Sequence, residues 1–218
     1  MKIRTIDELE NSISSELAWR KRELTAIKAN INQSRKFAKD TALRSGVALL
    51  YAHWEGAIKN IATYYLTYVA FLGLPYSSLK NNFMAISVKE KLRQFEETNK
   101  TTLQTAIVNE IFNSKNKKSQ IPYIDVIKTN SNLKSEIFIE IMATLGLACD
   151  FYESYYKLID EVLLNMRNKI AHGEKIESLS LDEERYNEIH EKILVLIEAF
   201  SVQVLNAAVR KEYLANTS

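Results

Sequence analysis

The stretch DTALRSGVALLYAHWEGAIKNIATYYLTYVAFLGLP, residues 40–75, decides the fold. Its apolar residues recur every three or four positions, the spacing that places side chains on one face of an α-helix. This apolar stripe consists of Leu43, Val47, Leu50, Tyr51, Trp54, Ile58, Ile61, Ala62, Tyr65 and Val69. The glycine and proline that follow, at Gly73 and Pro75, are residues that typically end helices. The sequence therefore predicts a long amphipathic helix that begins after Asp40 and ends before Gly73.

The second half of this stretch also has the composition of a membrane span, because residues 61–79 contain no charged residue. However, it contains Gly73, Pro75 and several Thr and Ser residues, and its apolar positions continue the helical period set upstream. We interpret it as a buried core helix with its exit turn, and not as a span.

The same helical spacing occurs in five or six stretches of the chain. A first helix begins at a capping box formed by Thr5 and Glu8 and continues to about Phe37, and a last helix begins at a second capping box, Ser180 with Glu183. The last helix carries the stripe Tyr186, Ile189, Ile193, Ile197, Phe200 and Val204. The middle is less regular, with short helices predicted at about 88–97, 103–112 and 135–147.

Composition favours one all-α domain spanning residues 1–218. The chain has 218 residues, 46% of them hydrophobic, and only five Gly and two Pro, too few for a strand-and-turn architecture. We predict a bundle with a core of long antiparallel helices and a shorter helical insertion at about 77–150. The single cysteine, the three separated histidines and the absence of a Gly-rich phosphate loop predict no disulfide, no metal site and no cofactor. The charged N-terminus lacks a signal-peptide pattern, which favours a cytoplasmic location.

The candidate functional stretch is MRNKIAHGE, residues 166–174, which follows an apolar-periodic helix predicted over about 154–170. The predicted core stripe of that helix is Ile159, Val162, Met166 and Ile170. Histidine titrates near neutrality, so His172 can accept a proton from a ribose 2′-OH or give one to a leaving oxygen. The planar guanidinium of Arg167 fits a phosphate with two hydrogen bonds, and Asn168 supplies an amide beside it. These are the groups that metal-free RNA cleavage requires.

Helical geometry separates two of these side chains. Each residue of an α-helix advances by about 100°, so Asn168 and His172 share a face, whereas Arg167 and His172 diverge by roughly 140°. Gly173 predicts a helix end directly after His172, where the helix dipole stabilises a protonated ring. Either Arg167 swings toward the ring or a second copy of the chain completes the site. Leu164 and Ala171, predicted to lie on the Asn168 face, favour a dimer seam there.

A second Arg-x4-His spacing, Arg185 to His190, has a different context. No glycine follows His190, and the surrounding glutamates would repel a phosphate. We interpret this copy as a solvated helix face.

The net charge is only +2, so overall electrostatics do not indicate a nucleic-acid binder. A local basic stripe is the exception, since it borders the apolar face of the first helix and could follow a phosphate backbone. The stripe consists of Lys21, Lys28, Arg35 and Lys39. The alternative is an ordinary solvated charge run.

Two segments resemble a known family. The Arg-Asn-x-x-x-His string at Arg167 to His172 is similar to the Arg-x4-6-His motif of the HEPN superfamily. Residues 50–56, LYAHWEG, resemble a second signature of its bacterial toxin-like branch, which includes the RiboL-PSP and MAE-type proteins. The resemblance implies an all-helical, dimerising, metal-independent endoribonuclease, often a toxin or antiphage effector in a two-gene module with a cognate antitoxin. It also implies that Glu55 and His53 lie near the catalytic seam, where Glu55 could orient His172 or Arg167. Trp54 is more typical of core, and so, by a small margin, is His53.

The sequence therefore predicts a homodimeric ribonuclease with Arg167, Asn168 and His172 as catalytic residues. Its partner would be RNA, with no membrane involved. The alternative is a non-catalytic HEPN protein that binds RNA, a nucleotide or a cognate toxin or antitoxin without cutting.

Overall fold

A computed structural model describes residues 2–175 and 180–215. The fold is all-α, as predicted, and the described residues form seven α-helices and no strand. The helices are α1 (Ile6–Gln33), α2 (Lys36–Leu72), α3 (Asn81–Glu97), α4 (Thr101–Ser114), α5 (Ser135–Leu145), α6 (Asn165–Ala171) and α7 (Glu183–Val209).

The long helices α1, α2 and α7 pack against one another and enclose the core. Every residue of the predicted α2 stripe is buried, as is every residue of the predicted α7 stripe. The charge-free segment at residues 61–72 belongs to this buried part of α2, which confirms its interpretation as core. Helix α7 is long and apolar enough to cross a membrane, but the core helices of soluble proteins meet the same criterion. The apolar face of α7 packs against α1 and α2.

The break between the first two helices is earlier than predicted. Helix α1 ends at Gln33, not near Phe37, and α2 begins at Lys36, not after Asp40. Ser34 is extended, and its backbone N–H donates to the carbonyls of Asn30 and Ile31. No glycine or proline marks this turn, so the apolar spacing predicted that the first helix continued past Gln33.

The two capping predictions have different outcomes. The Thr5 hydroxyl accepts from the Glu8 N–H at 3.1 Å, which confirms the first cap. The Glu8 carboxylate accepts from the Arg4 N–H and not from Thr5, so the box is only half formed. The second prediction was wrong, because Asp182, not Ser180, caps α7 by accepting from the Arg185 N–H at 2.8 Å.

The middle of the chain packs beside the long helices. Helix α5 contacts α2 and α3, while α4 packs on α3. Helix α3 begins at Asn81, seven residues before the predicted start, and α5 ends at Gly146, whose φ of 72° is left-handed. Residues 115–134 connect α4 to α5 without an α-helix.

The helix before the candidate site is not α-helical throughout, contrary to prediction. A 3₁₀ segment (Asp150–Tyr155) is followed by a π-helical segment (Leu158–Leu164) and only then by α6. A π turn holds more residues than an α turn, so it rotates the side chains that follow it. Leu163 and Leu164 are consequently buried, whereas Val162, Met166 and Ile170 are only partly buried. The prediction that Leu164 lies off the core was therefore wrong.

Candidate functional site

Helix α6 ends at the candidate histidine. Its C-cap is His172, whose backbone N–H donates to the Asn168 carbonyl at 2.9 Å. Gly173 follows with a φ of 79°, a conformation that L side chains rarely adopt. The predicted glycine stop is confirmed, and it leaves the His172 side chain exposed.

Arg167 is held in one orientation by three contacts. Its guanidinium carbon lies 4.3 Å from the centre of the Tyr51 ring. Its Nη1 donates to Asn168 Oδ1 at 2.8 Å, and its Nη2 donates to the Ser131 carbonyl. A guanidinium carries five N–H groups, so these two hydrogen bonds leave about three for a ligand. The side chain is half-buried and still reaches the surface.

Tyr51 supports this arrangement from α2. Its hydroxyl accepts from the Leu133 N–H at 2.6 Å, and its ring is almost fully buried. Burial, opposed by the Leu133 N–H and assisted by the nearby Glu55 carboxylate, raises the pKa of Tyr51 to about 12. Tyr51 is therefore neutral at pH 7. Glu55 lies beside Tyr51, the residue on whose ring the Arg167 guanidinium packs.

His53 occupies the other side of α2 and faces α1. Its Nε2 lies 3.1 Å from a Glu23 carboxylate oxygen, and Arg20 Nη1 lies 3.2 Å from its Nδ1. Its ring also packs on that of Trp19, with centroids 5.2 Å apart. Burial and the Arg20 charge lower the pKa of His53. None of these contacts involves Arg167 or His172, so the structure separates His53 from the motif helix.

A buried ion pair beside His53 was missed from the sequence. Arg20 donates from Nε and Nη2 to the same Glu16 oxygen, at 2.8 and 2.6 Å, and both side chains are buried. Asn60 also donates to Glu16, at 2.7 Å. The only sequence signal is Gly56 inside a helix, where a Cβ would lie 2.7 Å from an Arg20 nitrogen.

The basic stripe faces carboxylates of α7. Lys21 pairs with Glu198 at 2.6 Å, Lys28 pairs with Glu191 at 3.0 Å, and Lys39 pairs with Glu183. Arg35 is exposed between α1 and α2, and Lys39 belongs to α2. These cations therefore link α1 and α2 to α7, and their charge is partly neutralised before any phosphate arrives.

The second Arg-x4-His spacing is not the solvated face that we predicted. Arg185 is half-buried and pairs with Glu188, but His190 is buried and packs beside Tyr186. Its Nε2 lies 3.3 Å from the Leu24 carbonyl. Burial lowers the pKa of His190.

Three further residues of the site were not predicted as such. Tyr51 was assigned to the core, although it lies in the second signature segment. Ser131 precedes α5 in a connection with no recognisable pattern. Arg44 lies two turns before Tyr51 on α2 and donates to the Glu174 carbonyl, which tethers the turn after His172.

The site as a whole brings Arg167 and Asn168 into direct contact and leaves His172 apart. In the part of the chain that the structure describes, the His172 ring makes no hydrogen bond to either residue. Residues 2–175 and 180–215 also contain no cluster of three or more His, Cys, Asp or Glu side chains arranged to hold a metal ion.

The chain matches a known protein family. Searches of curated proteins and of solved structures give no significant match. The model of the family described as RiboL-PSP-HEPN matches residues 15–206, which include α2, the Tyr51 and Arg167 contacts and the His172 turn. The chain therefore belongs to the RiboL-PSP-HEPN family.

Proposed function

We propose that the protein is a metal-independent endoribonuclease. The observation that carries the proposal is the fixed guanidinium of Arg167, which keeps about three N–H groups without a partner among the described residues. It lies on α6, the short helix that the exposed His172 caps. A pre-oriented cation of this kind stabilises charge that develops on a phosphate without having to reorganise. Membership of the family supports the same chemistry.

In the proposed reaction, the RNA supplies its own nucleophile. His172 accepts the proton of the 2′-OH while O2′ attacks the adjacent phosphorus, and the P–O5′ bond breaks as O5′ takes a proton from water. His172 then returns the proton it accepted to the solvent. Arg167 binds the non-bridging oxygens as negative charge builds on them. Asn168 fixes Arg167 through its Oδ1, which leaves its Nδ2 available as a donor to the phosphate. The products carry a 2′,3′-cyclic phosphate and a 5′-OH.

The active species in this proposal is a homodimer. Arg167 packs on Tyr51 within its own chain, whereas His172 is exposed at the C-cap of α6. A second copy facing this helix would place its own His172 against Arg167. Ala171, exposed beside His172, would lie in the seam. Leu164 lies outside this seam, because it is buried in the core of the monomer.

Complementation between two inactive variants tests the shared site. Arg167→Ala retains His172, and His172→Ala retains Arg167. If each site takes one group from each chain, a mixed dimer has one intact site, and mixing restores up to about half of the activity per mixed dimer. A mixture as inactive as its components, with exchange of subunits demonstrated, would show that one chain completes the site alone.

Cleavage of purified RNA in EDTA tests the proposed activity itself. We expect His172→Ala and Arg167→Ala each to lower the rate by about 10² to 10⁴-fold, the range for a lost acid–base group. Arg185→Ala is the matched control, because Arg185 lies on α7 and pairs with Glu188, and we expect it to keep the wild-type rate. RNA binding without cleavage would instead favour the non-catalytic alternative.

The wider role also belongs to this proposal. A toxin or antiphage effector that acts on cytoplasmic RNA and is restrained by a cognate antitoxin fits the family, and it supplies the reason for a cell to encode such a nuclease.

A further inference from the structure

A shallow groove of about 610 Å³ lies directly beside the candidate catalytic residues. Its volume falls within the range of roughly 300–1,000 Å³ that is typical of small-ligand sites. Its lining combines three asparagines, one lysine, two acidic residues and the buried Leu164: Asn132, Lys134, Asp160, Glu161, Leu164, Asn165 and Asn168. Of these residues, only Asn168 takes part in the proposed cleavage.

The groove is continuous with the contacts of Arg167. Asn168 lines the groove, and its Oδ1 accepts from Arg167 Nη1 at 2.8 Å. Asn132 also lines the groove and directly follows Ser131, whose carbonyl accepts from Arg167 Nη2. A ligand group in the groove would therefore lie next to the phosphate that Arg167 is proposed to bind.

The turn that carries Asn132 is strained and held in place. Asn130 and Ser131 have φ values of 55° and 52°, in the left-handed region that residues with a side chain seldom occupy. The turn is fixed on its far side by the hydrogen bond from the Leu133 N–H to the Tyr51 hydroxyl. Strain of this kind persists where the surrounding structure imposes it and is concentrated at functional sites. The network around Tyr51 thus positions Asn132 as well as Arg167.

The polar groups of the groove suit a base better than a phosphate. Within the described residues, the side-chain amides of Asn132 and Asn165 make no hydrogen bond, so both can donate and accept. The lining holds two carboxylates, Asp160 and Glu161, and one lysine, Lys134, so its charge would repel a second phosphate. Glu161 also lies 3.8 Å from the Lys157 ammonium. Asp160 is already engaged, since it accepts from the backbone and hydroxyl of Ser135.

We propose that this groove binds one unpaired nucleobase adjacent to the scissile phosphate and so sets the sequence preference of cleavage. Single-stranded bases are read by hydrogen bonds to their edges, and amide side chains pair with such edges through a donor and an acceptor together. Leu164 supplies an apolar floor. The inference rests on the proposed ribonuclease function for the phosphate, but the groove would bind a base whether or not the bond is cut.

The test uses four DNA oligonucleotides with a single ribonucleotide at the cleavage position and A, C, G or U (T) as the flanking base. The ratio of kcat/KM between the best and worst base measures discrimination. We expect Asn165→Ala and Asn132→Ala each to reduce this ratio by about tenfold, as expected for a lost base contact. Asn109→Ala, at an exposed position on α4, is the matched control and should keep the wild-type ratio.

Binding separates this proposal from the proposed cleavage. Fluorescence anisotropy with the same four oligonucleotides and the His172→Ala protein reports base preference without chemistry. If the wild-type protein cleaves no RNA but binding shows a base preference that Asn165→Ala abolishes, the proposed nuclease activity is rejected and the proposed base-binding groove is supported. Equal kcat/KM and equal affinity for all four bases, or a preference unchanged in both asparagine variants, would overturn the groove.

Discussion

Tyr51 connects the core to the candidate site, so its substitution separates two effects. Tyr51→Phe keeps the ring under Arg167 but removes the hydroxyl that accepts from the buried Leu133 N–H. A buried donor left without a partner costs about 1–3 kcal/mol. For a chain of this size, 1 kcal/mol shifts Tm by about 2–4 °C, so we expect Tm to fall by about 2–12 °C. The rate of RNA cleavage should fall by less than about tenfold, because the guanidinium keeps its platform.

Tyr51→Leu removes the platform as well. The loss of the cation–π contact adds about 0.5–2 kcal/mol to the destabilisation. Arg167 then loses one of its three contacts, and misplacement of a catalytic group by about 1 Å costs up to about 10²-fold in rate. Thermal unfolding by circular dichroism and kcat/KM on an RNA oligonucleotide measure the two effects. An unchanged Tm in Tyr51→Phe, or equal activity in both variants, would refute this account of Tyr51.

Two other predictions concern stability. Burial lowers the pKa of both His53 and His190, so below about pH 6.5 the unfolded chain binds protons that the folded chain does not. The free energy of unfolding should therefore fall on acidification, by up to about 1.4 kcal/mol per pH unit for each histidine. Urea unfolding at pH 7.5, 6.5 and 5.5 measures this free energy. A free energy of unfolding that rose as the pH fell from 7.5 to 5.5 would contradict the assignment. Leu164→Ala should lower the free energy of unfolding by about 2–5 kcal/mol, because Leu164 is 5% exposed. A change below about 1 kcal/mol would contradict the assignment of Leu164 to the core.

The sequence predicted the core faces of α2 and α7, but not the turn between α1 and α2. Every residue that the helical period assigned to the core stripes of α2 and α7 is buried, because regular helices keep a constant angle between successive side chains. The prediction failed where that angle changes. The π turn before α6 has no signature in the residues, so Leu164 was assigned to the wrong side of the motif helix.

The candidate site was predicted only in part, for a related reason. Arg167, Asn168, His172 and the glycine stop are adjacent in the chain, so a local pattern contains them. The contacts that orient Arg167 come from α2 and from the connection before α5, at Tyr51 and Ser131. Long-range contacts of that kind leave no periodic trace in one sequence. The lysine partners on α7 were missed for the same reason.

The central claim is that RNA is cut by its own 2′-OH with Arg167 and His172 as the protein groups. The most direct measurement compares an all-ribose oligonucleotide with the same molecule carrying one 2′-deoxyribose at the mapped cleavage position, both in EDTA. We predict cleavage of the first, with 2′,3′-cyclic phosphate and 5′-OH ends, and no cleavage of the second at that position. Equal cleavage of both substrates, or ends that carry a 5′-phosphate, would contradict the account.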